Sequence, residues 1–292
     1  MSTPSQIRKR IKALKQTYDL LKPGKESLLQ LLDEAEISEV VFNSNAIENS
    51  TLTLKETEKI LLEMEVSRDI SVREVFEAKN LAKVVDYVRT KSEKNELSKE
   101  AILFLHRVLI GNINDSIAGR FRRVGEYVRV GTHVAPPPEE VEQMINQIML
   151  EYKSDYDTYF VDKIVRFHLD FETIHPFNDG NGRIGRVLIN YQFQQLGFPS
   201  IIIRNKEKQM YYKGFGIYRS SSNSKPMEKV LSLALTESLY KRIAYLKGQK
   251  IILLADYARQ NEKKSPAVYN AAKKQNIPAF REKGVWKIGV EY

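Results

Sequence analysis

His175-Pro176-Phe177-Asn178-Asp179-Gly180-Asn181-Gly182-Arg183-Ile184-Gly185-Arg186 is the stretch on which the reading of this sequence turns. Gly180, Asn181 and Gly182 sit where a loop becomes a helix. Glycines there let successive backbone N–H groups turn toward one point, a nest that binds anions. A helix N-terminus beneath it adds a dipole that favours phosphate. Arg183 falls in the first helical turn and Arg186 three residues on, so both lean over the same site. Two guanidiniums beside a nest suit a di- or triphosphate better than a lone carboxylate. Asp179 adds a hard oxygen of the kind Mg²⁺ prefers. His175 stands at the start of the loop, placed to take a proton. A lone Gly-Asn-Gly is an ordinary turn. Here H-x-F-x-D-G-N-G-R-x-x-R is complete, a coincidence on the order of one in 10¹⁰ per window by chance.

Outward from this stretch the pattern is helical almost throughout. A helix of about 161–174 precedes the loop, and the helix that follows it runs to about 196. Near the start, Ile7, Ile11, Leu14, Tyr18 and Leu21 give one apolar stripe with Lys and Arg opposite, a solvated amphipathic helix. Pro23-Gly24 marks a turn, and a second periodic run covers about 26–47. Thr53 with Glu56 and Ser71 with Glu74 read as capping boxes, and Ser98 caps a helix carrying Ile102, Leu105, Val108 and Leu109. Residues 119–135, GRFRRVGEYVRVGTHVA, are the one strand-like island of the central region and read as a short hairpin. Pro138 suits the first turn of the helix after it. His168 reads as a packed core histidine and His133 as a surface or hairpin residue, since no third ligand falls at metal-site spacing.

Residues 250–292 differ in character. Ile251, Leu253, Leu254 and Tyr257 predict one short helix. Ser265 caps a second with Val268, Tyr269, Ala271 and Ala272, and two short strands flank Glu282-Lys283-Gly284. Helix, turn, helix and wing describe a small winged-helix module. Trp286 is expected to pack the wing onto the helices. Lys273, Lys274, Arg281, Lys283 and Lys287 suit phosphate contacts with DNA. The second helix offers few side chains for base edges, so a protein-docking or dimer-packing role stands beside DNA binding.

At 292 residues the chain has length for about two domains. Its 42% hydrophobic and 28% charged content, with 14 Gly and 10 Pro, excludes collagen-like and wholly disordered classes. There is no Cys, so no disulfide scaffold, and only four His, which argues against a His-rich metal cage. The net charge of +9 gathers at the ends: residues 1–25 hold seven Lys/Arg against one Asp, and residues 250–292 nine against four acids. No run approaches the roughly 18–20 apolar residues of a membrane helix. The basic start lacks the apolar core of a secretory signal. The expectation is a soluble cytoplasmic protein without membrane attachment.

The motif resembles that of the Fic family, H-x-F-x-[DE]-G-N-G-R-x-x-R, at every fixed position. Gly119-Arg120-Phe121-Arg122 with the following Val-rich hairpin is similar to that family's flap, His106 falls in the helix before it, and Tyr211-Tyr212 resemble its paired tyrosines near adenine. The resemblance implies a mainly α-helical fold: an N-terminal helical region over 1–97, a Fic core with a β-hairpin flap over 98–245, and the winged-helix-like module over 246–292. It implies transfer of AMP from Mg²⁺-bound ATP to a Ser, Thr or Tyr hydroxyl of a protein target, with diphosphate released. His175 is then the general base and Asp179 the Mg²⁺ ligand. Asn181, with the amides of Gly180 and Gly182, stabilises the α-phosphate, Arg183 contacts the β-phosphate and Arg186 the γ-phosphate. Ile184 and Gly185 complete the nucleotide-binding turn, and Tyr211, Tyr212 and Tyr218 line the adenine pocket. Phe177 points inward as the loop's anchor. Val128, Arg129, Val130 and Gly131 form an edge that pairs with the target's main chain.

Ser44-Asn45-Ala46-Ile47-Glu48-Asn49 fits the same family's inhibitory motif, [ST]-x-x-x-E-[GN]. Its plain structural alternative is a helix end with Asn49 as left-handed cap, and both hold together. Glu48 paired with Arg186 would occupy the γ-phosphate's place and misalign ATP. Self-modification and a homodimer are within this reading. Transfer of UMP or phosphate, AMP removal with Glu48 placing a water, and a DNA-bound regulator using ATP as a signal remain as alternatives.

Overall fold

The computed structural model describes residues 3–66 and 69–291. Helices α1 (Ser5–Leu21) and α2 (Glu26–Ile47) are joined at the Pro23-Gly24 turn, and a short α3 (Leu54–Glu58) runs into one π-helical turn over 59–63. Then come α4 (Val72–Lys91) and α5 (Lys99–Ile110), the hairpin β1 (Arg129–Val130) and β2 (His133–Val134), and α6 (Pro138–Ser154). The motif lies between α7 (Phe160–Ile174) and α8 (Asn181–Gln195), followed by α9 (Lys208–Ser221) and α10 (Lys225–Leu246). The tail holds β3 (Lys250–Leu253), α11 (Leu254–Gln260), α12 (Ser265–Lys273), β4 (Ala279–Glu282) and β5 (Val285–Val290). Among the described residues, no helix is long and apolar enough to cross a membrane.

The predicted caps at Thr53, Ser71 and Ser98 form. Thr53 and Glu56 close a full capping box, while Ser71 and Ser98 each accept the N–H three residues on. Pro138 occupies the first turn of α6. The central hairpin is shorter than its sequence pattern: only Arg129↔Val134 and Val130↔His133 pair as strands, and the preceding 119–128 run as irregular chain with short turns. Gly119 and Gly125 there take positive φ, which breaks strand continuity.

Two apolar cores hold the helices. One gathers Leu81 and Val84 of α4, Ile102 and Leu105 of α5, Ile145 of α6 and Phe171 of α7 around Ile184 and Leu188. The other gathers Ile11 and Tyr18 of α1, Leu29 of α2, Leu169 of α7 and Leu235 of α10 around Ile189 and Phe193. Helix α8 therefore belongs to both. The tail has its own small core of Leu254, Ala258, Val268, Ala272, Ala279 and Ile288.

The tail departs from the sequence reading in three ways. Ile251 and Leu253 lie in β3, not in a helix, and β3 pairs antiparallel with β5 in the order β3-β5-β4. The adjacent β-branched Ile251 and Ile252 favour a strand, and they pair with Gly289 and Ile288 of β5. Ser265 is the first helical residue of α12, and the cap position is Lys264. The basic groups of this hairpin also pair with carboxylates of their own chain. Arg281 meets Glu237 at 2.6 Å and Glu207 at 2.7 Å, Lys283 meets Glu58 at 2.8 Å, and Lys287 meets Glu282 at 2.7 Å. Trp286 is half-buried against the tail core, as expected, with the Arg281 guanidinium 4.6 Å from its ring centre. Arg281, only 11% exposed, is committed to carboxylates of its own chain and is not free for a DNA phosphate, whereas Lys283 stays two-thirds exposed.

Candidate active site

The loop between α7 and α8 is held from every side. Phe177 is wholly buried and stacks on His106 with ring centres 3.7 Å apart. His106 Nδ1 accepts from the Gly119 N–H at 3.0 Å, so Nε2 carries the proton and donates to Asp179 O at 3.0 Å. Burial holds the His106 imidazole neutral, its pKa lowered to about 4. Asn181 closes the loop from within: Oδ1 accepts from Phe177 N and Nδ2 donates to Phe177 O, both at 2.8 Å. The Asn181 side chain is thus spent on the loop, and what faces outward is the first turn of backbone N–H groups of α8. Gly180 takes φ +82°, the left-handed turn that opens the helix.

His175 ends α7 with φ 51°, a left-handed conformation costly for a residue with a Cβ. Arg122, almost fully buried, holds it there. Its Nε donates to His175 O at 2.9 Å and its Nη2 to Ile174 O at 3.2 Å and Pro136 O at 2.9 Å. Burial lowers the His175 pKa to about 4, so at neutral pH the ring is an unprotonated base. One turn earlier Glu172 lies buried, its Oε2 3.9 Å from His175 Nδ1. Burial and the nearby Glu48 charge raise its pKa to about 8, so the two groups are neutral neighbours rather than an ion pair.

Arg186 is buried beneath the cradle. Nε donates to Ser44 Oγ and Nη2 to Ser44 O, both at 2.9 Å, and Nη1 meets Glu48 Oε1 at 2.9 Å. Burial opposes the guanidinium's charge, but Glu48 more than offsets it and holds the pKa above its ordinary range. The Glu48 carboxylate lies so close to Gly182 that a Cβ there would collide with it. Asn49 takes φ 71° as the left-handed cap, its Oδ1 accepting from Lys208 Nζ at 2.7 Å. Arg183 meets Asp179 Oδ1 at 3.0 Å and Glu77 at 3.2 Å. Glu48, Asn49, Asp179, Gly182 and Arg183 with the first hairpin strand line a cavity of about 520 Å³ reaching from Glu48 and Thr51 past His175 to Val128, Arg129 and Val130. Among the described residues strand β1 has β2 as its only sheet neighbour, so its other edge is unpaired there.

The remaining predicted residues fall less close together. Ile184 anchors α8 in the core, and Gly185 packs against Glu172 and His168. Tyr211 is buried behind Arg186, with its hydroxyl 2.8 Å from His168 Nε2. His168 is the packed core histidine expected, held neutral by burial with its pKa lowered to about 3. Tyr212 is exposed beside the end of α2 and donates to Ile47 O at 3.1 Å. Tyr218 points away, its hydroxyl donating to Asp170 at 2.6 Å. His133 reaches Thr173 O at 2.8 Å as a hairpin anchor. Arg73 and Glu77 of α4, in contact with Asp179 and Arg183, escaped the sequence reading. Their i, i+4 spacing is that of any helical ion pair.

Among the described residues no group of three or more His, Asp or Glu could hold a metal. Mg²⁺ needs none when it shares substrate phosphates, because one carboxylate and water complete its shell. Asp179, partly exposed at the cavity wall beside the anion cradle, fits that requirement.

Residues 96–193 match the model of the Fic/DOC family. The protein adenylyltransferase Fic of Nematostella vectensis is 33% identical over 177 residues, 59% of this chain and 41% of that one. The protein adenylyltransferase fic-1 of Caenorhabditis briggsae is 28% identical over 239 residues, 76% of this chain and 46% of that one. This chain therefore spans less than half the length of either relative. Among solved structures, a Fic domain containing signaling protein from Bacteroides thetaiotaomicron superposes with a TM-score of 0.75 at 25% identity, covering 82% of this chain and 98% of that one. Fic-1 from C. elegans superposes with a TM-score of 0.71 at 25% identity, covering 84% and 74%.

Proposed function

Residues 96–193 are a domain of the Fic/DOC family, and on that premise we propose that this protein transfers AMP from Mg²⁺-bound ATP to a hydroxyl of a protein, with Glu48 restraining the transfer. The observation that carries the reading is the Glu48 carboxylate on Arg186 and Gly182 at the start of α8. An anion of the chain's own rests at the anion cradle.

The neutral His175 accepts the proton of the target hydroxyl as its oxygen bonds to the α-phosphorus. The bond from that phosphorus to the bridging oxygen breaks, and diphosphate leaves. The backbone N–H groups at the start of α8 meet the charge growing on the α-phosphate, fixed in place before the reaction begins. Arg183 and Arg186 hold the leaving phosphates. Mg²⁺ on Asp179 would neutralise phosphate charge. The unpaired edge of β1 offers main-chain hydrogen bonds to an extended target segment, which sets its hydroxyl beside His175. Tyr211 supports Arg186 from behind, and Tyr212 is the aromatic face left for adenine.

Glu48 blocks this by holding Arg186 and repelling the γ-phosphate. ATP then binds with its α-phosphate displaced, and a misplacement of about 1 Å can cost roughly 100-fold in rate. Wild type, Glu48→Gly and Glu48→Gly/His175→Ala incubated with Mg²⁺ and α-labelled ATP test the reading. Label on protein should rise about 100-fold in Glu48→Gly and vanish in the double variant. Equal label in wild type and Glu48→Gly would remove the restraint. No label in any sample, with ATP still bound, would remove AMP transfer.

A further inference from the structure

Helix α4 lays two charged side chains on the cradle. Arg73 Nη2 donates to Asp179 Oδ2 at 2.5 Å, and Arg73 Nε to Glu77 Oε1 at 3.0 Å. The same Glu77 oxygen meets Arg183 at 3.2 Å, and Arg183 meets Asp179 Oδ1 at 3.0 Å. The four side chains close a ring of alternating sign and zero net charge. Arg183 and Glu77 are only 4% and 14% exposed, so their attraction is weakly screened. Arg73 is 58% exposed, so the fold does not depend on burying it.

We propose that Arg73 and Glu77 imitate a bound metal–nucleotide. Arg73 takes the cation's place on Asp179, and Glu77 takes a phosphate's place on Arg183. The inference rests on the nucleotide chemistry proposed above and extends it. With Glu48 on Arg186, each charged side chain of the cradle holds a partner from the N-terminal helices whose sign matches the ligand it awaits. Glu48 alone answers for Arg186. Asp179 and Arg183 are answered by α4, four residues apart on one helical face. A metal ion must displace Arg73 before Asp179 is free, and a phosphate must displace Glu77 before Arg183 is free. The pairs therefore form a second restraint that remains when Glu48 is removed.

The two substitutions should act in opposite directions. Removing the Glu77 charge leaves the ring with net charge +1 and favours an anion without any metal. Removing the Arg73 charge leaves −1 and favours the cation. The test is calorimetric titration of the full chain with α,β-methylene-ATP, whose α–β linkage resists transfer, over a series of Mg²⁺ concentrations. Glu48→Gly is the parent, compared with the same chain carrying Glu77→Gln or Arg73→Gln. Glu77→Gln is isosteric and Arg73 largely exposed, so both variants fold. Glu77→Gln is expected to tighten metal-free binding by roughly three- to tenfold. Arg73→Gln should lower the Mg²⁺ concentration at half-saturation by a similar factor, with no gain in metal-free affinity. If Glu77→Gln binds no tighter than the parent, or Arg73→Gln needs as much Mg²⁺, the imitation is overturned while AMP transfer by the parent stands. A parent that binds no nucleotide at all overturns both readings.

Discussion

His175 is neutral because it is buried, not because a partner withdraws its proton, and its pKa is lowered to about 4. A base of this kind works down to acid pH. In Glu48→Gly the acid limb of the transfer rate should therefore fall below pH 5.5, against the ordinary histidine value of about 6.5. An acid limb at 6.5 would mean that the ring is solvated when it works. His106 makes a second residue-scale prediction. It is fully buried, stacks on Phe177 and bonds both Gly119 and Asp179. His106→Ala leaves a cavity and two unmet backbone groups, a loss of about 2–4 kcal/mol in denaturant unfolding. The motif itself was legible in sequence because each position answers to one loop. Arg122, Arg73 and Glu77 were less so, since each acts across a distance in sequence that no local pattern records. Asn181 was read as facing phosphate, but its amide matches the Phe177 backbone in both directions, a fit visible only once the loop is closed.

At the scale of elements, the segment proposed to inhibit is the last turn of a helix that is fixed at several points. Glu39 of α2 is buried, pairs with Arg204, and accepts the N–H groups of Lys283 and Gly284 at 3.0 Å each. Asn43, one turn on, accepts the Asn205 N–H at 3.0 Å. Glu39→Ala strips partners from a buried guanidinium and should cost about 3 kcal/mol. Lys283→Ala removes an ammonium group whose side chain is two-thirds exposed and should cost less than about 0.5 kcal/mol. Similar losses in the two variants would show that the hairpin, not the carboxylate, carries the contact. Close approach of α7 and α8 gives another case. A Cβ at Gly185 would meet Glu172 and His168, so Gly185→Ala should lower the melting temperature by several degrees, roughly 2 kcal/mol of overpacking. Long helices with capping residues and one apolar stripe were readable from sequence. The first tail strand was not, because four residues carry too little periodicity to separate strand from helix.

Across the whole molecule, buried ionisable groups set the response to acid. His106, His168 and His175 have pKa values lowered by burial to about 4, 3 and 4. Below pH 6.5 the unfolded chain takes up protons there that the native chain cannot, and stability falls by roughly 1 kcal/mol per histidine per pH unit. Glu172 acts the other way. Its native pKa of about 8 means that its contribution grows as pH drops toward the ordinary carboxylate range. Three groups outweigh one, so the melting temperature should fall between pH 7 and pH 5, and a flat or rising trend would contradict the burial of these rings. Helix α8 lends its opposite sides to the two cores, with Ile184 and Leu188 on one and Ile189 and Phe193 on the other. Much of its cover comes from α1, α2, α4, α9 and α10, all outside residues 96–193. The stretch that a family comparison delimits is thus not a portable module. Excised and grafted elsewhere, it would bring the letters of the motif without the scaffold that gives them a shape.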